Sequence, residues 1–531
     1  NSRGLLEKTI QKGITTKEFN RNTNKETVKT QDLTTAYEYD LAGRVVAEVT
    51  PENYVGYKDG QGLLATGTTN KIEYIYDKQG RLILKAFRGK IKNYNGSTGN
   101  FNENERYIVI EAYKYDANGN VIKKVDGEAY NKAYEDAVNQ QKSVAVEDLI
   151  NDAYGVEYTY NLANQLETVK NPEFTGANGM NFNRKYSYDG LGRVVGETTA
   201  HGLNKTLIIE NVNTPVQVSG LYYSITKYLY DDVNRKLDVK VIDNVDNPAY
   251  TEDRIKTEYY DYAGNIKKTV DANGNETSYE YNSLGLQRSV TYPGDSSIPT
   301  NTVVYKYDSM GNLRYQKDSV GNVKEYKYDL FGRVLSEKVY GTEEEDANET
   351  EVRYWYDLYG NVKYKIDANN TVTKYEYDEL GRLTRSVVDN VKLIDPATGV
   401  DSTTRTSTHE TLKYYDKNGN VLHEVTKVTE KDTVSNTAKS SYSVNSYEYD
   451  GMGRLVSKID PVGNVIEKIN YNRNSAQIES YDGEDHKKIF EYNKDGKLIV
   501  TKQRNESGEY IVKQQYYDAR GNVAYVIDGR E

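Results

Sequence analysis

Aromatic and β-branched residues alternate with polar ones in short runs along most of the chain, and each run stops at a cluster of Asp, Asn and Gly. In "YKYDLFGRVLSEKVYG", Tyr326 to Gly341, Tyr326 and Tyr328 stand two apart, so on a strand their rings share one face. Asp329 then fits the first position of a type I turn, where its carboxylate can hydrogen-bond the backbone ahead. Gly332 fits the left-handed bulge residue that follows such a turn, Arg333 comes next, and Val334 opens the return strand. In "NVKYKID" Val362, Tyr364 and Ile366 alternate cleanly, whereas "RVLSEKV" from Arg333 does not, so both faces of the predicted sheet are expected to carry packing.

The same hairpin recurs. Anchored on the second tyrosine, there are seventeen copies from Tyr39 to Tyr517, among them Tyr375, Tyr377, Asp378, Gly381 and Arg382, and Tyr447, Tyr449, Asp450, Gly453 and Arg454. The residue after the tyrosine is Asp in thirteen and Asn in four; three further on stands Gly in fourteen, Asn in two (Asn164, Asn234) and Ser in one (Ser475). Gly and Asn are the residues that tolerate positive φ, which predicts that conformation at this position in each copy. The shortest spacing between copies is 21 residues, room for two strands of about seven residues and two short turns. Half-copies at Asp271, Asp318, Asp367 and Asp460 ("DANGN", "DSVGN", "DANN", "DPVGN") are expected to be the opposite turns of the shorter units.

Longer spacings mark insertions: Pro51 to Asn70, Arg88 to Arg106, Asn171 to Asn183, His201 to Gly220, Val391 to Thr411 and Thr429 to Asn445, most of them read as Gly, Ser, Thr or Asn-rich loops. The Ala-rich stretch Gly127 to Asp152 predicts a helix or helical pair. No linker separates folded units, so residues 1–531 are expected to form one continuous repeat structure with a helical insertion at 127–152. A lone hairpin is marginal in water, so the units must pair in series into one long sheet, and a sheet that long must curl or close.

Composition sharpens this. Mean hydropathy is −0.83, yet 52 residues are Tyr, against 7 Phe and 1 Trp, which excludes the aromatic-poor composition of disordered chains. Tyr packs at the ring and stays wet at the oxygen, which favours a curved sheet around a partly hydrated interior. A formal net charge of −11 with interspersed signs argues against nucleic-acid binding. The acidic run Gly341 to Thr350 reads as a solvated loop. With no Cys, disulfides and thiolate metal sites are impossible, and no apolar run approaches a membrane span.

Candidate chemistry is sparse. His201, His409, His423 and His486 lack metal-ligand spacing and are expected to be surface side chains; no phosphate loop or nucleophile elbow occurs. No catalytic, cofactor or metal residue is assigned, and no cofactor is expected. The rings leave carbohydrate binding as an alternative to packing across strands.

Y-x-Y-D-x-x-G-R/N-V/L over almost the whole chain from about Thr35 resembles the tyrosine-aspartate, or Rhs, repeat family, which includes bacterial polymorphic toxins, wall-associated proteins, shell components of insecticidal toxin complexes and teneurins. The resemblance implies an all-β fold, a long spiralling sheet of β-hairpins curved into a hollow barrel or cocoon-like shell. It further implies a non-catalytic scaffold of a larger secreted or cell-surface bacterial protein, with an encapsulated polypeptide from the same gene as partner. Adhesion or glycan binding is the second function carried, and self-association through the ribbon's open ends a third. In toxin shells of this family a D-P-x-G segment marks self-cleavage; here "DPATG" at Asp395 and "DPVGN" at Asp460 are followed by further sequence and are read as turns.

Overall fold

The computed structural model describes residues 3–54, 70–176, 179–202, 207–209, 216–218, 221–243, 245, 251–294, 299–341, 349–394, 399–505 and 508–529. Among these the chain forms 37 strands and two helices. Thirty-five strands make one antiparallel sheet in which neighbours in sequence pair in space. The other two, Leu207–Ile209 and Val216–Val218, form a separate hairpin. The fold is the all-β spiral of hairpins that the repeat predicts, and its sheet is not closed. The first strand, Lys8–Asn20, pairs with Lys25–Tyr39 alone, and the last, Val523–Asp528, with Gly508–Tyr517 alone.

Each repeat turn is one hydrogen-bonded unit. Gly332 N donates to Asp329 O and Asp329 N donates to Arg333 O, both at 3.0 Å. Asp329 Oδ1 accepts from Phe331 N (2.9 Å) and Arg333 N (3.0 Å), and Oδ2 accepts from Arg333 Nε at 2.6 Å. Where Asn replaces Arg, its side-chain amide takes the same place, as in Asn120 Nδ2 to Asp116 Oδ2 at 2.9 Å. Gly332 has φ 77°, and Asn164 and Ser475 hold the equivalent position at 67° and 61°. The pairing register slips between Lys327 and Tyr328, the bulge expected beside such a turn. The Tyr230 copy departs from expectation: Asn234 bonds back to Asp231 through its N–H and its amide, and the positive φ moves one residue on, to Arg235 at 49°. The half-copies at Asp271, Asp318, Asp367 and Asp460 close as the opposite turns.

Neighbouring hairpins are tied by the tyrosine. Among the described residues, fourteen of the seventeen repeat tyrosines donate their hydroxyl to a backbone carbonyl of the preceding hairpin, at 2.6 to 3.1 Å. In six repeats the turn arginine of one hairpin also lies over the next hairpin's tyrosine, 4.2 to 4.9 Å from the ring centre, as Arg333 does over Tyr356 at 4.5 Å. Tyr326 and Tyr328 share a face, ring centres 6.5 Å apart.

The insertions differ from the loop expectation in three places. Arg88 to Arg106 lies within the paired strands Leu82–Asn95 and Asn100–Tyr115. Val391 to Thr411 falls on Leu383–Ile394 and Asp401–Tyr415, with 395–398 outside the described residues, and Thr429 to Asn445 on Val421–Asp432 and Thr437–Tyr449. Their Thr, Val and Tyr residues favour a pleated, half-buried surface, and this outweighs the loop character of Ser, Asn and Gly. Residues 55–69, most of His201 to Gly220, and 342–348 of the acidic run lie outside the described residues, as does Asp395. Helices span Gly127–Asn139, capped by Asp126 Oδ1 accepting from Ala129 N at 2.9 Å, and Val146–Asp152. They bury Ala129, Tyr130, Leu149 and Ile150 with Leu84, Ala112 and Val125 of the sheet.

The ribbon winds onto itself. Between Glu128 and Arg473, which are in contact, the chain passes through 25 strands; two form the separate hairpin, leaving 23 of the main sheet. The contacts Glu52 to Lys417 and Glu173 to Lys494 also enclose 23. The number must be odd, because repeat turns lie on one edge of the ribbon and meet the opposite edge of the winding beside them. At a strand spacing of about 4.8 Å, 23 strands make a ring about 110 Å around and about 35 Å across, wider with strand tilt. Thirty-five strands give about one and a half windings.

Gly332→Val is expected to open its turn, since a β-branched residue at positive φ costs about 1–3 kcal/mol, while Gly332→Asn is tolerated as Asn164 is. Amide hydrogen exchange across residues 323–340 separates the two. Tyr328→Phe loses the 2.6 Å bond to Leu313 O and should accelerate exchange in Leu313–Lys317 about fivefold, the equivalent of about 1 kcal/mol. The turn carboxylates also set a pH dependence. The amides of Asn120, Asn265 and Asn312 hold Asp116, Asp261 and Asp308 below the ordinary carboxylate value; at Asp329 burial pushes upward and the Arg333 hydrogen bonds outweigh it. A depressed folded pKa contributes stability that is complete above the unfolded value of about 3.9 and is lost as pH falls through the folded value. Thermal stability should therefore begin to decline below about pH 6.5, where the half-buried His201 and His423, their pKa lowered by burial, must take up protons, and fall further below about 4 as the turn carboxylates protonate; a flat profile down to pH 2 would contradict it.

Candidate functional site

The side chains singled out by the repeat do not gather at one point; they are spread along one rim of the ribbon, and their surroundings divide them. The Asp329 turn stands on a free part of that rim, its carboxylate 17% exposed. The Asp378 and Asp450 turns lie against the earlier winding, with side-chain exposures of 6% and 0%. Asp378 is held by Leu380 N, Arg382 N and Arg382 Nε at 3.0, 2.9 and 2.7 Å, and Asp450 by Met452 N, Arg454 N and Arg454 Nε at 2.9, 3.0 and 2.8 Å. Tyr449 bonds Val421 O at 3.0 Å. Gly381 and Gly453 take φ 76° and 80°. Tyr375, Tyr377 and Tyr447 lie on the incoming strands of these two hairpins.

At this seam a clasp recurs that the sequence reading missed. Lys417 N donates to Glu52 Oε2 (3.1 Å) while Glu52 N donates to Asn418 Oδ1 (3.0 Å). Arg473 N donates to Glu128 Oε1 (2.5 Å) and Glu128 N to Asn474 Oδ1 (3.1 Å). Lys494 N donates to Glu173 Oε1 (3.0 Å) and Glu173 N to Asp495 Oδ1 (3.1 Å). In each case the second turn residue offers its otherwise unpaired N–H, and the third returns a side-chain acceptor. Two further turns replace the glutamate by a carbonyl: Gly451 N to Lys90 O at 3.1 Å and Ala519 N to Gly202 O at 2.9 Å. Gly451 is required there, because a Cβ would stand 2.3 Å from Lys90 O. The signal in the sequence is a Glu directly after Pro or Gly inside an insertion, as at Pro51, Gly127 and Pro172.

The two long hairpins of the first winding lap over the second. Phe19 packs on Tyr414, ring centres 5.1 Å apart, with Val425 and Val444. The Asn470 side chain pairs with the Tyr94 backbone, accepting from its N–H at 2.8 Å and donating to its carbonyl at 2.9 Å, and the Tyr94 ring meets Tyr481 at 4.9 Å. Lys92 pairs with Glu448 at 2.5 Å.

A cavity of about 880 Å³ opens along the seam, walled by Arg106, Tyr107, Tyr154, Tyr471, Arg473 and Lys494 among others. Its cations are largely engaged: Lys494 lies over Tyr154, and the neighbouring Arg454 binds Asp450 and covers Tyr471. Of the histidines, His409 and His486 are exposed, bonded to Ser407 and Asp482 at 2.8 and 3.0 Å. His201 and His423 differ from the surface expectation. His201 is half-buried against Ser224 and stacked on Tyr222, and His423 is half-buried beside Phe19 and Tyr414, where burial holds its pKa below the ordinary value. Among the described residues no three His, Cys, Asp or Glu side chains are grouped to hold a metal ion.

No curated protein matches the chain. Among solved structures it is similar to the crystal structure of TcdB2-TccC3-Cdc42, at 14% identity over 98% of this chain and 29% of that one, with a TM-score of 0.36. It is also similar to the crystal structure of TcdB2-TccC3 without its hypervariable C-terminal region, at 16% identity over 93% of this chain and 30% of that one, with a TM-score of 0.37. The chain therefore spans less than a third of the length of these structures. Residues 260–297 and 356–390 match the model of the family described as RHS Repeat. These two stretches hold four of the seventeen copies of the repeat, those at Tyr260, Tyr281, Tyr356 and Tyr377, so the chain carries Rhs repeats at both places.

Proposed function

We propose that this chain is a non-catalytic wall segment of a larger bacterial Rhs-repeat protein, secreted or displayed at the cell surface, and that its windings enclose a polypeptide encoded in the same gene. The observation that carries this reading is the lapped winding: a ring of 23 strands, held to the next by turn-to-glutamate clasps, surrounds a space. That space is of the order of a small domain, for which the radius of gyration is about 13 Å at 100 residues. The recurring ionisable side chains support a structural role, since each turn aspartate is taken up by its own turn and by Arg or Asn. The glycan-binding alternative needs free ring faces, and in six repeats an arginine covers the tyrosine.

Production of the chain together with the polypeptide that adjoins it in its own reading frame, followed by limited proteolysis, tests the enclosure. The expected result is an adjoining fragment that survives intact, and that becomes cleavable in a Glu128→Ala, Glu173→Ala double variant whose seam is loosened. Equal digestion of the adjoining polypeptide with and without this chain would overturn the proposal.

A further inference from the structure

Two of the four histidines are half-buried, and each stands where one winding lies against the other. His423 belongs to Val421–Asp432 of the second winding, its Nδ1 2.8 Å from Ser446 Oγ. The first hairpin laps over it there. Phe19 meets the imidazole edge-on, ring centres 6.3 Å apart, and Tyr414 flanks it at 6.5 Å, with Val425 and Val444 beside them. His201 ends Val194–His201 of the first winding, stacked on Tyr222 at 5.4 Å and hydrogen-bonded through Nε2 to Ser224. The next residue, Gly202, accepts the amide of Ala519 from the second winding at 2.9 Å. Ala519 is buried there with Ala200 and Tyr223.

The facing winding adds an arginine at each place. At His423 it brings Arg21, whose guanidinium donates to Asp460 O at 2.7 Å. The acids of the strands around His423 have other partners. Glu26 accepts from the Tyr414 hydroxyl at 2.5 Å and pairs with Lys17; Glu410 is held by Arg385 and Lys427, Glu424 by Lys413 and Glu448 by Lys92. At His201 the facing winding brings Arg520, already paired with Asp518, while Asp243 and Asp518 draw a proton toward the ring. Burial is the largest effect at both, and with these arginines it holds both imidazoles below their ordinary pKa. His486 is the contrast: exposed and bonded to Asp482, it is shifted upward.

We propose that His201 and His423 make the winding seam sensitive to acid: a proton on either ring places a charge inside the lap, against an arginine of the facing winding, and the lap opens. Imidazole is the side chain whose charge changes between about pH 5 and 8. A ring that is neutral in the closed lap binds its proton more tightly once the lap is open and wet. Closure therefore loses stability as pH falls below the ordinary value of about 6.5, and loses no more below the lowered closed-state value. The turn carboxylates stay ionised through this window, so the hairpins and their ladders remain paired while the two laps separate. The device depends on the winding and not on what the wall encloses.

Double electron–electron resonance between spin labels on Asn22→Cys and Val462→Cys, both exposed in the tips joined by Arg21 and Asp460, follows the His423 lap. The expected result is one short distance at about pH 7.5 that lengthens and broadens reversibly at about pH 5.5. Amide exchange of Ala519, corrected for the intrinsic rate, follows the His201 lap and should rise about fivefold over the same interval. His423→Phe, which packs against Phe19 and Tyr414 and takes no proton, should abolish the first response and keep the second; His201→Phe should do the reverse. His423→Gln and His201→Gln, uncharged and able to bond Ser446 and Ser224, give the same answer if either phenylalanine disturbs the fold. A distance and an exchange rate indifferent to pH, an acid response that survives in the matching variants, or a loss of β circular dichroism in step with lap opening would each overturn the inference.

Discussion

Beside the repeat turns, except that at Asp231 where pairing runs through Lys236, the ladder between one hairpin and the next ends early. Between Val334–Tyr340 and Thr350–Tyr356 the last pair is Ser336 with Arg353, and the carbonyl of Val334 lies beyond it. The Tyr356 hydroxyl reaches that carbonyl at 2.7 Å, and Arg333, already bonded to Asp329, covers the ring. A phenylalanine would fill the same volume and leave the carbonyl without this donor, which accounts for tyrosine rather than phenylalanine at the fourteen repeat positions that make this bond. Burial raises the Tyr328 phenol above its ordinary value, so the donor stays protonated through neutral and mildly alkaline pH. The tyrosine bond in fourteen repeats, joined in six by a relay from Asp to Arg to the next Tyr, thus couples turns to their neighbours and lets marginal hairpins add up to a sheet of 35 strands.

Winding follows from that sheet and from the insertions. A twisted sheet of this length curls, and once it has turned through 23 strands its repeat turns arrive over the opposite edge of the first winding. The insertions stand there: Glu52, the hairpin around Lys90, Glu128 at the start of a helix, Glu173, and Gly202. Their variable length and sequence have a common physical task, which is to present an acceptor to the second N–H of a turn. The seam is polar at the clasp and apolar beside it, where Met452 and Ala519 are covered.

Local structure was legible in the sequence because each letter of the repeat has a local reason. Tyr326, Tyr328, Asp329, Gly332 and Val334 play the parts that period, Asx capping and positive φ assign them. What was not legible depends on neighbours distant in the chain. Lys90 to Tyr94 reads as part of a Gly and Asn-rich loop, but Ile91 and Tyr94 are buried against the second winding, and that packing keeps the segment extended. Glu128 looks like an ordinary first-turn acid of a helix, and its role appears only when Arg473 is beside it. Asn234 was expected at positive φ; its amide instead pairs with Asp231, and the strained conformation passes to Arg235, whose guanidinium lies 3.7 Å from the centre of the Tyr262 ring. Seventeen similar turns also could not reveal which of them would be covered, since that is set by the strand count per winding rather than by any single turn.

The central claim is that the ribbon laps itself with Glu128 against the turn at Asn472. The chain has no cysteine, so paired cysteines report this contact without background. With a short thiol crosslinker, Glu128→Cys combined with Asn474→Cys should crosslink within one molecule in high yield. Glu128→Cys combined with Asn418→Cys, whose partner belongs to the Glu52 clasp, should not. Equal yields for the two pairs, or no crosslink in either, would contradict a spiral of 23 strands per winding.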